Sequence, residues 1–349
     1  MLRFFNKICT ISGAPKAKIA MNRRHVLSLL AAAGTAQALG LGVRAAEAPR
    51  RIGMLVGVGN DREGQLRVAT FRQHLHRLGW IEGGNVEIAV RWSTGDPASI
   101  RAYADELIGL APDVLVGTSL PVTAMLQQRT RSIPIVFLVV PDPVLNGIVA
   151  NQARPGGNLT GFSNFESAMG AKWLETLREI APGVERVGVM FGPTSTAQTR
   201  RFLPVIADAA QLSEMSVEAL PIRTEVDIAA AIDRFAGAPN GGLITLPGNE
   251  LVCHRALVAE LTARHRLPTV YPYRYFVQSG GLVSYGVDTV DIFARSATYV
   301  DRILRGATPA ELPVQEPLKF ELVVNKAAAS ELGLDVSPAL VARANEVIG

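Results

Sequence analysis

Short apolar runs alternate with amphipathic runs along almost the whole chain after residue 49. "RIGMLVGVG" reads as a strand. "QLRVATFRQHLHRLGW" places Leu66, Ala69, Leu75 and Leu78 at helical spacing. "NVEIAVRW" is an edge-like strand, and Asp96-Pro97 opens a helix over "PASIRAYADELIGLA", a cap followed by Pro in the first turn. "PDVLVGTS" is a strand, "VTAMLQQRT" a helix and "IPIVFLVV" a strand. The apolar runs lack alternation, which suits parallel strands buried on both faces. After Pro141-Asp142-Pro143 the pattern predicts a short helical segment and then a Pro-Gly-Gly-Asn loop.

A second series with the same order follows Ser163. "GAKWLETLREIAP" is helical, "RVGVMFG" a strand and "QTRRFLPVIADAAQL" a helix. "SVEALPI" is a strand, "EVDIAAAIDRFAGA" a helix and "GGLITLPG" a strand. "LVCHRALVAELTARHR" reads as one helix, and "PTVYPYRYF" as strand or loop. The repeat is one of architecture and not of sequence. It predicts an α/β protein with two doubly wound, Rossmann-like lobes of similar build. After "GGLVSYG" come a helix over "DTVDIFARSATYVDRILRGA", an extended piece "ELPVQEPLKFELVVN" and a helical "KAAASELG". A final piece this long is able to return to the first lobe and cross again.

Charge changes the picture at the N-terminus. The chain has 349 residues, 35 Lys/Arg and 31 Asp/Glu. Residues 1–48 hold seven of the bases and one of the acids, Glu47, so the remainder is slightly acidic. No basic face for nucleic acid is expected in the folded part. The segment "MNRRHVLSLLAAAGTAQALGLGVRAAEAP" has a positive start at Arg23-Arg24 and an apolar stretch Val26–Gly42. Val43-Arg44-Ala45 then fits a small-x-small cleavage rule. The stretch falls short of the roughly 20 residues that span a bilayer. Residues 1–48 are therefore expected to be a leader. The paired arginines before Val26-Leu27 resemble a twin-arginine export signal, with a general secretory signal as the alternative. Translation starting at Met21 also fits. Cys9 would leave with the leader, and Cys253 would then stand alone without a disulfide.

Several chemistries lack their residues. "GVGNDREG" has Arg62 where a dinucleotide fingerprint needs its third Gly. No Gly-rich loop followed by Lys-Ser/Thr occurs, and "GTSLP" is not a nucleophile elbow. The histidines His74, His76, His254 and His265 form no zinc-binding pair with a spaced acid. No metal, no cofactor and no catalytic residue is expected.

"RIGMLVGV", "FRQHLHRLGWIEGGNVEIAVRW", "IPIVFLVVPDPVLNGIVANQARPGGNLTGFS", "HRLPTVY", "GGLVSYG", "ATYVDRILRGATPAELPVQEPLKFELVVN" and "LGLDVSP" together resemble one family. It is the branch of ABC-transporter substrate-binding proteins that includes tryptophan/tyrosine-type uptake components. The resemblance covers residues 50–348. It implies a type 1-like periplasmic binding fold, with two lobes joined by three crossing segments and ligand enclosed between them. Crossings are expected near Leu159–Asn164, Val283–Val287 and Val314–Phe320, with Gly161 and Gly286 as sites of backbone rotation or as plain turn glycines. One lobe would comprise 49–160 plus about 286–315, the other 161–285 plus about 316–349. The implied role is extracytoplasmic capture of a small amino acid-like molecule and its delivery to a membrane permease, by a monomer located in the periplasm. A periplasmic sensor feeding a membrane kinase, or a racemase or isomerase on the same scaffold, are the alternatives.

Ligand contacts are expected where strands open into helices, because the first N–H groups of a helix are unpaired and its dipole end is positive. Gly117-Thr118-Ser119, Gly192 to Thr196 with Ser195 and Thr196, and Gly248-Asn249-Glu250 are the three such places. Thr118, Ser119, Ser195 and Thr196 also suit plain helix caps. Asp142 or Glu250 would meet a ligand ammonium, and Asp142 equally suits a cap for the segment after Pro143. Tyr271, Tyr285 and Phe162 are the aromatic candidates, for an apolar ligand side chain or for core packing.

Overall fold

The structure is a computed structural model that describes residues 48–192 and 196–349, with the side chains of 196–198 also outside the description. The expected leader therefore lies outside the described residues, as does Ser195. The first series gives β1 (Arg50–Val56), α1 (Arg62–Arg77), β2 (Val86–Trp92), α2 (Pro97–Gly109), β3 (Val114–Thr118), α3 (Leu120–Arg129), β4 (Ile135–Val140) and β5 (Leu159–Ser163). These strands form one parallel sheet in the order β2-β1-β3-β4-β5. β3 and most of β4 are buried on both faces, as their unbroken Val/Ile/Leu runs require.

The second series gives α4 (Met169–Ile180), β6 (Arg186–Phe191), α5 (Thr196–Gln211), β7 (Ser216–Pro221), α6 (Glu225–Ala236), β8 (Gly241–Thr245), α7 (Asn249–Cys253), α8 (Arg255–Arg264), β9 (Thr269–Tyr271), α9 (Arg274–Gln278) and β10 (Val283–Val287). Then come α10 (Thr289–Leu304), β11 (Phe320–Asn325), α11 (Lys326–Glu331), α12 (Pro338–Arg343) and β12 (Glu346–Ile348). The second sheet runs β12-β11-β10-β9-β8-β6-β7, and only the β10/β11 pair is antiparallel.

Local chemistry starts the helices, at Asp96-Pro97 as the sequence predicts and at two further caps. Asp61 accepts from the Gly64 N–H at 2.8 Å and Asp96 from the Ser99 N–H at 2.8 Å, with Pro97 in the first turn. Thr224 and Asp227 close a capping box at α6. Two expectations fail locally. Residues 143–147 form turns and no helix, ended by Gly147 at φ 67°. The predicted helix over 251–266 is two helices, α7 and α8, interrupted at His254.

The chain passes between the sheets three times. It leaves β5 through Asn164 toward α4. It returns at Asp288, because α10 packs on α1 and β4 of the first sheet. The Trp80 Nε1–H donates to Asp301 at 2.8 Å and fastens that packing. The third passage is 315–320, leading into β11. The passages lie side by side: Gln315 exchanges backbone hydrogen bonds with Gly161 and Ser163, each 2.9 Å, and the Asp288 N–H donates to Lys319 O at 3.0 Å.

Gly161 and Gly286 sit inside β5 and β10, where close approach explains them. A Cβ on Gly286 would lie 1.8 Å from Pro272 O, and one on Gly161 would lie 2.0 Å from Phe137 O. The main apolar core holds the fully buried Trp173, whose Nε1–H donates to Tyr285 O at 2.7 Å. That bond ties α4 to the second passage.

Candidate functional site

A cavity of about 60 Å³ lies between the sheets, walled from both sides. The first sheet contributes Val58 and Arg67, the β3–α3 junction Thr118–Pro121, and Val139 and Pro141 at the end of β4. α10 contributes Phe293, and the first passage contributes Asn164. The second sheet contributes Pro247–Asn249, Val252, Tyr273 and Tyr275. As the walls stand the cavity is smaller than the ~150 Å³ cavity known to hold a benzene ring, so a ring-sized guest requires the lobes to part.

The first wall is strained. Ser119, the residue before α3, has φ 83°, and its buried Oγ has no hydrogen-bond partner. Val139 has φ 58°, where the β4–β5 register slips by a residue. A β-branched residue in that region is costly, and such strain concentrates at ligand sites. Thr118 is held locally, its Oγ1 accepting from the Gly57 N–H at 2.9 Å.

The opposite wall is aromatic. Tyr273 and Tyr275 stack at 5.0 Å, and the Tyr273 hydroxyl accepts from Asn164 Nδ2 at 3.0 Å. Burial pushes the pKa of both phenols up, so they stay neutral. The Arg67 guanidinium lies 4.8 Å from the Tyr275 ring centre. Arg67 is only 6% exposed, and its Nε meets Glu63 at 3.3 Å.

Polar contacts pin the walls together. Asn249 Nδ2 donates to Gly57 O at 3.1 Å, and Cys253 Sγ to Thr94 O at 3.1 Å. Arg255 pairs with Asp61, and Arg201 on α5 with Asp142. Burial works against the Asp61 charge, yet the Gly64 N–H and Arg255 outweigh it and hold its pKa below the ordinary value.

Of the residues singled out from sequence, the cavity brings together Thr118, Ser119 and Asn249. Asp142 stands outside the lining. It receives the Leu145 N–H at 3.0 Å, the capping geometry, and also pairs with Arg201. Phe162 is buried against Tyr299, with ring centres 5.0 Å apart. Tyr271 is core: it stacks on Phe276, its hydroxyl meets Thr262 at 2.8 Å, and burial pushes its pKa up to about 12. Tyr285 stacks on Phe320, away from the cavity. Glu250 lies against Gly192, and the Thr196 side chain is outside the described residues. Sequence reading missed Arg67 and Asn164 as lining residues, and it preferred Tyr271 and Tyr285 over the Tyr273 and Tyr275 of the same aromatic cluster. One signal was available: Arg67 falls on the stripe Gly64, Val68, Phe71, Leu75, the buried face of α1. A cation on an apolar stripe calls for an explanation.

Among the described residues no cluster suits a metal ion, and no helix is long and apolar enough to cross a membrane. Two sheet-centred lobes, three connecting passages and a cleft walled from both sides define a ligand-clamping receptor. The family described as "ABC transporter substrate binding protein" matches residues 55–348, and the chain belongs to it. It is similar to the tyrosine-binding protein of Clostridioides difficile, 24% identical over 257 residues that span 73% of each chain. The ABC domain in complex with L-Trp from Streptococcus pneumonia superposes with a TM-score of 0.79 at 22% identity, covering 86% of this chain and 100% of that one. A conserved domain protein of Vibrio cholerae gives a TM-score of 0.78 at 27% identity, covering 85% and 99%. The chain is the solute-binding component of an ABC transporter.

Proposed function

We propose that this chain is exported to the periplasm, captures a small amino acid-like solute between its lobes, and delivers it to a membrane permease. The tyrosine- and tryptophan-binding relatives support an amino acid-like cargo, and the apolar, aromatic walls suit one with an apolar body. The observation that carries the reading is the cavity itself, lined from both sheets and crossed by contacts such as Asn249 to Gly57. The lobes comprise 49–160 with about 286–315, and 161–285 with about 316–349, turning on the three passages. Solute bridging both walls favours closure by the difference in its affinity for the two states. ATP hydrolysis belongs to another subunit. The leader at 1–48, with Arg23-Arg24, supports export.

A thermal-shift screen of the leader-free chain against amino acids and related small acids tests this. A solute that binds only the folded form adds about 2.7 kcal/mol of apparent stability at 100-fold excess over Kd. A tight hit returned unaltered supports the receptor role. Turnover of the hit, or no stabilisation by any amino acid or small acid, counts against the proposed cargo.

A further inference from the structure

We infer that Arg67 anchors a carboxylate in the cleft, and that the cargo binds as an organic acid whose amino group, if present, contributes nothing. The inference rests on the receptor reading and names its solute more narrowly.

The lining decides the sign of the charge it welcomes. Arg67 is the single ionisable cation among the described lining residues, and no carboxylate lines the cavity among them. The nearby acids lie off the lining and face other groups. Glu63 meets Arg67, Asp61 meets Arg255 and Asp142 meets Arg201, while Glu250 lies against Gly192. An ammonium enclosed here would lose its water without gaining an anion, a penalty that grows as the lobes close.

The guanidinium is prepared for a planar anion. Its contact to Glu63 is through Nε at 3.3 Å, its carbon lies 4.8 Å from the Tyr275 ring centre, and it also hydrogen-bonds the Tyr275 side chain. A bidentate carboxylate would approach along the Nη edge, opposite the Nε that meets Glu63. The start of α3, with Ser119 to Pro121 on the same lining, adds a positive dipole end, and the unpartnered Ser119 Oγ is a further polar group there. Beyond this corner the walls are Val58, Val139, Val252, Phe293 and two neutral tyrosines, suited to a hydrocarbon or aromatic body.

The test compares matched solutes by calorimetry on the leader-free chain: L-phenylalanine with phenylpropanoate, L-tyrosine with hydroxyphenylpropanoate, and L-leucine with methylpentanoate. The deaminated member is expected to bind at least as tightly as its amino acid, and phenylpropanamide, which lacks the charge, about thirtyfold or more weakly than phenylpropanoate. Arg67→Gln and Arg67→Lys are expected to lose acid binding by a similar factor, Lys because it lacks the fork. An amino acid binding about tenfold tighter than its deaminated partner overturns the inference while leaving the receptor reading intact. So does unchanged acid binding in a folded Arg67→Gln. Binding of none of the six solutes also overturns it, and the wider screen then judges the receptor reading separately. The matched pairs need no variant, so a failure of Arg67→Gln to fold leaves the inference exposed to refutation.

Discussion

Asp61 and Arg255 meet across the cleft although 194 residues separate them in sequence. Asp61 is also the N-cap of α1, with Oδ1 on the Gly64 N–H and Oδ2 on Arg255. One carboxylate therefore starts the helix that carries Arg67 and ties that helix to the opposite wall. Asp61→Asn keeps an acceptor for Gly64 but drops the ion pair. It is expected to cost less than about 1 kcal/mol of stability, as partly exposed pairs do, and to widen the solution scattering envelope of the empty protein. Asp61→Ala removes the cap as well and is expected to cost about a further 1 kcal/mol in urea denaturation.

Ser119 separates stability from binding. Glycine tolerates its φ of 83° freely, and removing the buried, unpartnered hydroxyl relieves a second penalty. Ser119→Gly is expected to leave the melting temperature unchanged or raised. Solute affinity should fall by roughly threefold to tenfold, the effect of one lost hydrogen bond. Falling stability with unchanged affinity would assign Ser119 a purely structural role.

Gly286 and Gly161 are predicted to be intolerant of any side chain. A Cβ would meet carbonyl oxygens of Pro272 and Phe137 at 1.8 and 2.0 Å, both backbone atoms inside the fold. Alanine at either position is expected to cost more than about 3 kcal/mol, in the range of the most severe single substitutions. Far-ultraviolet circular dichroism during thermal melting reads this directly. A small effect would mean that the β10 or β5 passage yields easily.

Glu321 predicts a pH dependence. It is 8% exposed, one oxygen has no partner, and the other meets Arg274 at 2.9 Å. Burial first, then the nearby acids Asp288 and Glu63, outweigh Arg274 and push its pKa from 4.5 to about 7. A raised folded-state pKa means that the protonated form is favoured on folding. The stabilisation is complete below about pH 4.5 and is lost as pH rises through about 7. Glu321→Gln is expected to flatten the stability profile between those values and to be the more stable protein at pH 8, by an amount on the order of 2 kcal/mol. Denaturation midpoints measured across that range check the sign. An unchanged slope would show that Glu321 remains ionised.

The candidate site was only partly legible in sequence. Thr118, Ser119 and Asn249 stand where strands open into helices, and that local rule found them. Asp142 satisfied the same rule, but a capped turn and Arg201 occupy it instead. Tyr271 and Tyr273 are two residues apart on either side of Pro272. One is core and the other faces the cleft, which a single sequence pattern does not separate.

Most of the order of strands and helices, the Asp96 cap and the doubly wound class came from the chain alone. Apolar period, capping residues and prolines act over a few neighbouring residues, and those are all present in the linear text. Tertiary structure alone decided that Glu321 is held without a full set of partners and that Arg67 lies over Tyr275. Arg67 stands on α1 and Tyr275 on α9, helices that follow strands of different sheets, and their 4.8 Å approach is set by how the two lobes dock across three passages. Burial and charge pairing depend on that docking, because both are properties of the space around a side chain and not of its neighbours in the chain.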